Sequence, residues 1–274
     1  MSITDTPNRR LDVPETAFGA MAPYTEADHI GLMLAVLRTA EVANLYRAED
    51  CTETHWMSVV VHPLLTIVHG LKKFRTSSGI PLLRSDDMAY VRMQKSLTPS
   101  SHDDYFTGLK KRIDGAFGLR LSEEEIDILE SRCYTSPGLP SINPAENFTQ
   151  LVPQFLLIEL KRPNTNKDAL IQLGLWASVE FTKRRIEGWG MDMQILAVQI
   201  EGDEWQLWEA YATSRGISKE GEHDFGVVFV GPQYMGTTRD LYGIFQILEW
   251  LCRCAEWGLR EYKEWVKAEM LQPE

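Results

Sequence analysis

Nine residues in the middle of the chain, Phe155-Leu-Leu-Ile-Glu-Leu-Lys-Arg-Pro163, constrain the fold more than any other stretch. Leu156, Leu157, Ile158 and Leu160 form an apolar platform, so the segment reads as a buried strand. Side chains at i and i+2 on a strand project to one face. Glu159 and Lys161 therefore leave the platform together, at its end. A carboxylate beside a lysine at a strand end suits binding of a hard divalent cation and activation of a metal-bound water. Glu-x-Lys alone also occurs by chance on surface strands, where it is a solvated pair.

The following residues add context. Pro163 stops the strand, Asn164-Thr165-Asn166 supplies turn and cap chemistry, and a helical pattern begins near Lys167. Ala169, Leu170, Leu173, Ala177 and Phe181 recur at three- and four-residue spacing, as a helix packed on a sheet requires. Gln172 and Trp176 are i, i+4 neighbours on it. Two further apolar runs, Ile195–Ile200 and Trp205–Tyr211, flank Glu201-Gly202-Asp203, a tight-turn sequence.

This succession resembles the PD-(D/E)XK nuclease superfamily, and most of all its fungal nuclease-like branch. The resembling phrases are Ser141-Ile142-Asn143, Phe155 to Pro163, Gln172 to Trp176 and Gly243 to Ile247. Upstream, Trp56 with His62-Pro63-Leu64-Leu65 is similar to the helix that opens the fold in that branch. The resemblance spans roughly residues 50–260. It implies an α/β fold with a restriction-endonuclease-like core, a central mixed sheet of four to five strands flanked by helices. It implies metal ligands gathered at one end: an Asp on the strand before Glu-x-Lys, the Glu, a backbone carbonyl, and often a Glu on the first helix. Carried over, Glu159 is the metal carboxylate and the Leu160 carbonyl a second ligand. Lys161 positions the attacking water, Gln172 supports the site, and Arg162 and Trp176 are expected to meet substrate.

Two positions depart from the pattern. Val59 aligns with the helix glutamate and Ala89 with the strand aspartate. Asp86 or Asp87 could supply a relocated ligand if the alignment slips, though a one-residue slip on a strand reverses the face. Asp103 and Asp104 sit in a polar loop. With one carboxylate left, a Mg²⁺ site is poor unless substrate phosphate completes the shell. The expectation is a degraded metal centre.

Charge points the same way. Against 28 Lys+Arg stand 39 Asp+Glu, giving −11. Non-specific nucleic-acid affinity comes mainly from cations that displace counterions, so nucleic acid is disfavoured unless a local basic groove exists. Lys72-Lys73-x-Arg75, Lys110-Lys111-Arg112 and Lys183-Arg184-Arg185 read as solvated faces; Lys161-Arg162 is the exception, because of where the strand puts it.

At 274 residues and 44% hydrophobic content, one substantial core is affordable. The chain reads as a mobile tail over 1–20 and one domain over 21–274. No run of eighteen apolar residues and no secretory leader is visible, so no membrane span and an intracellular setting are expected. Cys51, Cys133, Cys252 and Cys254 fit reduced packing residues rather than a disulfide or zinc pattern. Coarsely, Thr25-Glu-Ala-Asp28 caps a helix to about residue 48, and a second helix over roughly 53–72 is bent by Pro63. A strand is expected near Met88–Met93, and Ser122-Glu-Glu-Glu125 is a capping box. A short strand is expected at Phe225–Val230, and Thr238 is expected to cap a final helix.

Three functions follow, in this order. The first is a repurposed nuclease fold acting on a small organic molecule, as in fungal biosynthesis, with Glu159 and Lys161 as an acid–base pair and no cofactor. It needs a pocket of several hundred Å³ at Glu159 or Lys161. The second is a Mg²⁺-dependent DNA endonuclease; the third, a non-catalytic interaction module. The resemblance also implies pairing of two copies as a homodimer.

Overall fold

The computed structural model describes residues 26–49, 51–88, 113–135, 142, 150–162, 169–217 and 223–272. Helix α1 (Glu26–Ala48) is followed by α2 (Glu53–Trp56) and α3 (His62–Gly70). Strands β1 (Leu83–Asp87) and β2 (Gly115–Leu119) precede α4 (Glu123–Thr135). Then come β3 (Gln154–Lys161), α5 (Ala169–Glu187), β4 (Ile195–Glu201), β5 (Glu204–Ile217) and β6 (His223–Thr237). Helices α6 (Leu241–Trp257) and α7 (Lys263–Glu269) end the chain, joined by a π-helical turn.

The six strands lie in one sheet in chain order. Every neighbouring pair is antiparallel except β3 and β4, which run parallel. A parallel pair needs a long crossover, and α5 supplies it. The carboxyl ends of β3 and β4 therefore coincide, with Lys161 opposite Glu201. In open α/β sheets, ligands bind outside such ends.

Burial along β3 is complete, and it divides between two cores. Leu156, Ile158 and Leu160 join the larger cluster with residues of α1, α3 and α6. Leu157 joins the smaller one with Leu173, Trp176 and Ala177 of α5. Period 2 then puts Glu159 and Lys161 on the α5 side. Phe155 breaks the alternation because the β2–β3 register shifts between Phe117 and Gly118. Such a bulge lets two consecutive residues face one side. Phe155 thereby packs at tilted and edge-on angles among Phe117, Trp257 and Tyr262, with centroids 5.5, 6.3 and 5.9 Å away. Gly258 makes that packing possible, since a Cβ there would sit 2.7 Å from the Phe155 ring.

Several local expectations meet their structure here. The helix over 53–70 is interrupted by a π-helical stretch, Met57–Val61, immediately before Pro63 in the first turn of α3. Proline has no N–H to give the preceding turn, and the widened turn accommodates it. The capping box at α4 forms: Ser122 N–H donates to Glu125 Oε2 (2.8 Å) and Glu125 N–H to Ser122 Oγ (3.2 Å). Gly202 turns the β4–β5 hairpin at φ +60°.

Others are corrected. Asp240, not Thr238, caps α6 by accepting from Gly243 N–H at 2.8 Å. Thr238 instead donates to Asp203 at 3.1 Å. The sheet has six strands rather than four or five. A strand β1 precedes Met88, while residues 89–93 of the expected strand and the expected tail at 1–20 fall outside the described residues.

Candidate active site

Glu159 and Lys161 project together from the end of β3 and are nearly sealed, at 1% and 5% exposure. The Lys161 ammonium donates to Glu159 Oε1 and to the Leu160 carbonyl, the latter at 3.1 Å. Glu159 Oε2 is buried with no hydrogen-bond partner among the described residues. Burial, above all, pushes the Glu159 carboxyl up to about 8, against its ordinary 4.5. The next cause is the charge of Asp114; Lys161 pulls the other way, and Glu53 adds to the rise.

Two acids that sequence reasoning passed over thus bear on Glu159. Asp114 stands immediately before β2, and its N–H donates to the Ile158 carbonyl at 3.1 Å. Its Oδ2 accepts from Leu160 N–H at 2.8 Å, which pins the carboxylate beside the Glu-x-Lys segment. Glu53 opens α2, where Thr52 caps the helix by accepting from His55 N–H at 3.2 Å. Glu53 Oε1 accepts from Arg162 N–H at 3.3 Å. Asp114 could have been found as an acid heading a short buried run, and Glu53 as an acid following an N-cap threonine.

The other expected residues are distributed as follows. Arg162 is half-buried at the strand tip and holds Glu53 through its backbone. Gln172 is buried in the first turn of α5, and Trp176 is enclosed in the core cluster beneath it. Asp86 is on β1, with β2 between it and β3, and pairs with Arg84 at 2.7 Å. Burial raises its carboxyl despite Arg84. Asp87 is exposed at the end of β1. Val59 packs against the larger core, while Ala89, Asp103 and Asp104 lie outside the described residues. The structure gathers Glu159, Lys161 and Arg162 with Glu53 and Asp114, while Asp86 and Asp87 lie on β1, opposite Ala116 and Gly115 of β2.

A cleft of about 120 Å³ opens beside this group, lined among others by Tyr46, Glu53, Trp56, Lys161, Arg162 and Asp203. It reaches Lys161 but is smaller than the several hundred Å³ that a drug-sized ligand fills. Its far wall is braced by Arg47, which donates to both Asp203 carboxylate oxygens at 2.7–2.8 Å. Burial opposes ionisation of Asp203, but hydrogen bonds from Arg47, Thr238 and Arg239 outweigh it and hold its pKa down.

The family model of the PD-(D/E)XK nuclease superfamily matches residues 4–263. The chain belongs to this superfamily. No curated protein matches it. For a PD-(D/E)XK protein the placement of the acids is informative. Asp114 heads the strand before Glu-x-Lys, where the resemblance implies an Asp, and Glu53 opens α2, the second helix of the chain. The donors are hard oxygens, the set that Mg²⁺ and Mn²⁺ prefer. Among the described residues, no three His, Cys, Asp or Glu side chains are already drawn together into a metal cage. A cation nevertheless sits on Glu159 Oε1 and the Leu160 carbonyl, and it is the Lys161 ammonium. Among the described residues, no helix is long and apolar enough to cross a membrane.

Proposed function

We propose that this protein is a divalent-cation-dependent phosphodiesterase, a nuclease that has kept its acids. The observation that carries the reading is the company of Glu159: Leu160 N–H holds Asp114 beside it, burial first and then the charges of Asp114 and Glu53 raise its pKa, and one of its oxygens is buried without a partner among the described residues. Buried like charges are costly unless a cation joins them. Glu159, Asp114 and the Leu160 carbonyl would hold that cation, with Glu53 at its rim. When bound, a hard divalent ion lowers the pKa of a water and neutralises charge on a phosphoryl oxygen. The chain's own part is positional. Leu160 N–H orients Asp114, Arg162 N–H orients Glu53, and Lys161, released from Glu159, is free to steady the attacking water or the phosphate. The acids at Asp114 and Glu53 put this reading ahead of the small-molecule one, which took Val59 and Ala89 as the relevant positions.

The small-molecule reading keeps one observation in its favour. A glutamate held near 8 beside a lysine is tuned for proton transfer at neutral pH. The test is incubation with plasmid and single-stranded DNA in Mn²⁺ or Mg²⁺, against EDTA. The proposal expects metal-dependent cleavage by the native chain and none by Glu159→Ala. Cleavage that persists in Glu159→Ala, or that ignores EDTA, would overturn it; an inert native chain would return the small-molecule reading to first place.

A further inference from the structure

We infer that the cleft beside the acids receives one unpaired nucleoside, so that the substrate is a phosphodiester flanked by an unstacked base rather than continuous duplex. The reading deepens the proposed function and rests on it for the diester alone.

Position comes first. The cleft lies at the coincident carboxyl ends of β3 and β4, where Lys161 and Glu53 belong both to its lining and to the acid group. A ring in the cleft therefore adjoins Lys161, which is hydrogen-bonded to Glu159. Size comes next. About 120 Å³ accommodates a single planar ring system and excludes a stacked base pair. The walls are of the right kind. Tyr46 and Trp56 line the cleft, and base–aromatic stacking is the sequence-tolerant way to hold a single base. Tyr46 is itself fixed, meeting the His55 ring edge-on at 4.4 Å. Trp56 is 7% exposed and anchored in the core. The wall carries both signs of charge, Lys161 and Arg162 beside Glu53, and Arg47 held by Asp203.

Net charge makes the same selection from a distance. At −11 the chain is repelled by a long polyanion. A site that grips one nucleotide by its base gains affinity from stacking, which salt and overall charge barely affect. Two sources share this chemistry, a nucleotide within a single strand and a free dinucleotide.

The test is binding by the full-length chain carrying Glu159→Gln, so that no strand is consumed, with Mg²⁺ present. Fluorescence of 2-aminopurine reports base stacking in a single-stranded oligonucleotide, in its duplex and in a free dinucleotide. The single strand or the dinucleotide should bind about tenfold tighter than the duplex, whichever is tighter naming the source. Tyr46→Ala should lose about tenfold, and Tyr46→Phe should keep the affinity. An abasic substitution moved along the strand should cost about tenfold at one position, a result that needs no variant of the protein. Duplex bound as tightly as single strand, or no abasic position that matters, would overturn the inference. So would displacement by a phosphate-free aromatic compound as readily as by the dinucleotide. None of these readings depends on catalysis, so an inert native enzyme would count against the proposed chemistry and leave the cleft to be judged on binding.

Discussion

Glu159 and Glu180 are both buried glutamates held by a cation, Lys161 two residues along a strand and Arg184 one turn along a helix. Burial raises both carboxyls. Their surroundings differ in sign. Around Glu180 the remaining influences are cationic, from Arg184 and Lys183. Arg184 is closed off further: it donates to the Met193 carbonyl at 2.6 Å and lies over the Trp265 ring at 4.4 Å. Glu159 instead faces Asp114 and Glu53. A buried pair with balanced charge is a structural fixture. A buried pair crowded by further acids is short of a cation, and that shortage separates a candidate site from a strut.

The widest separation between the two pairs should come from Lys161→Ala. Metal-dependent cleavage is expected to fall by on the order of 10³-fold. Stability should change less than for Arg184, whose side chain also holds the Met193 carbonyl and the Trp265 ring. A cleavage rate near that of the native chain would erase the distinction.

Arg184→Met should behave in the opposite way. Removing one partner of a buried pair typically costs about 3–5 kcal/mol. Denaturant unfolding should show that loss, while the protein that remains folded cleaves at the native rate. An unaffected midpoint would mean that the second pair is not structural.

A smaller effect distinguishes the pairs by pH. The Glu159 carboxyl titrates near 8 when folded and near 4.5 when unfolded. Between those values the folded state holds a proton that the unfolded chain has released. Its contribution to stability is therefore fully present below 4.5 and is lost as pH rises through about 8. The metal-free native chain should weaken over that window, measured by urea midpoints, more steeply than Glu159→Gln. Parallel slopes would show that Glu159 does not carry the shift. The smallest change is expected at Asp86, whose Oδ1 Arg84 engages on β1, with β2 between it and β3. Asp86→Asn should leave cleavage within about threefold of the native rate, the scale of a substitution remote from the charge being stabilised.

How much of this was legible depends on whether the signal is local. The strand carrying Glu159 and Lys161, the helix after it, the Gly202 hairpin and the Ser122 capping box all announce themselves within a few residues. Asp114 does not. Its nearness to Glu159 arises from β2–β3 pairing, Gly115 opposite Ile158, and a five-residue strand with two glycines has no alternation to betray it. Glu53 is hidden for another reason: the resemblance points to Val59, further along a helix whose π-helical turn upsets ordinary spacing. Thr238 misled because its hydroxyl is engaged by Asp203 across the hairpin, a contact with no sequence signature.

Calorimetric titration of Mn²⁺ into the native protein and into Asp114→Asn tests the convergence of acids most directly. Native protein should bind Mn²⁺ at one saturable site, and Asp114→Asn should weaken it by about tenfold or more, as loss of a carboxylate oxygen requires. Equal binding by both proteins, or none by the native chain, would contradict the claim that Asp114 and Glu159 form one cation site.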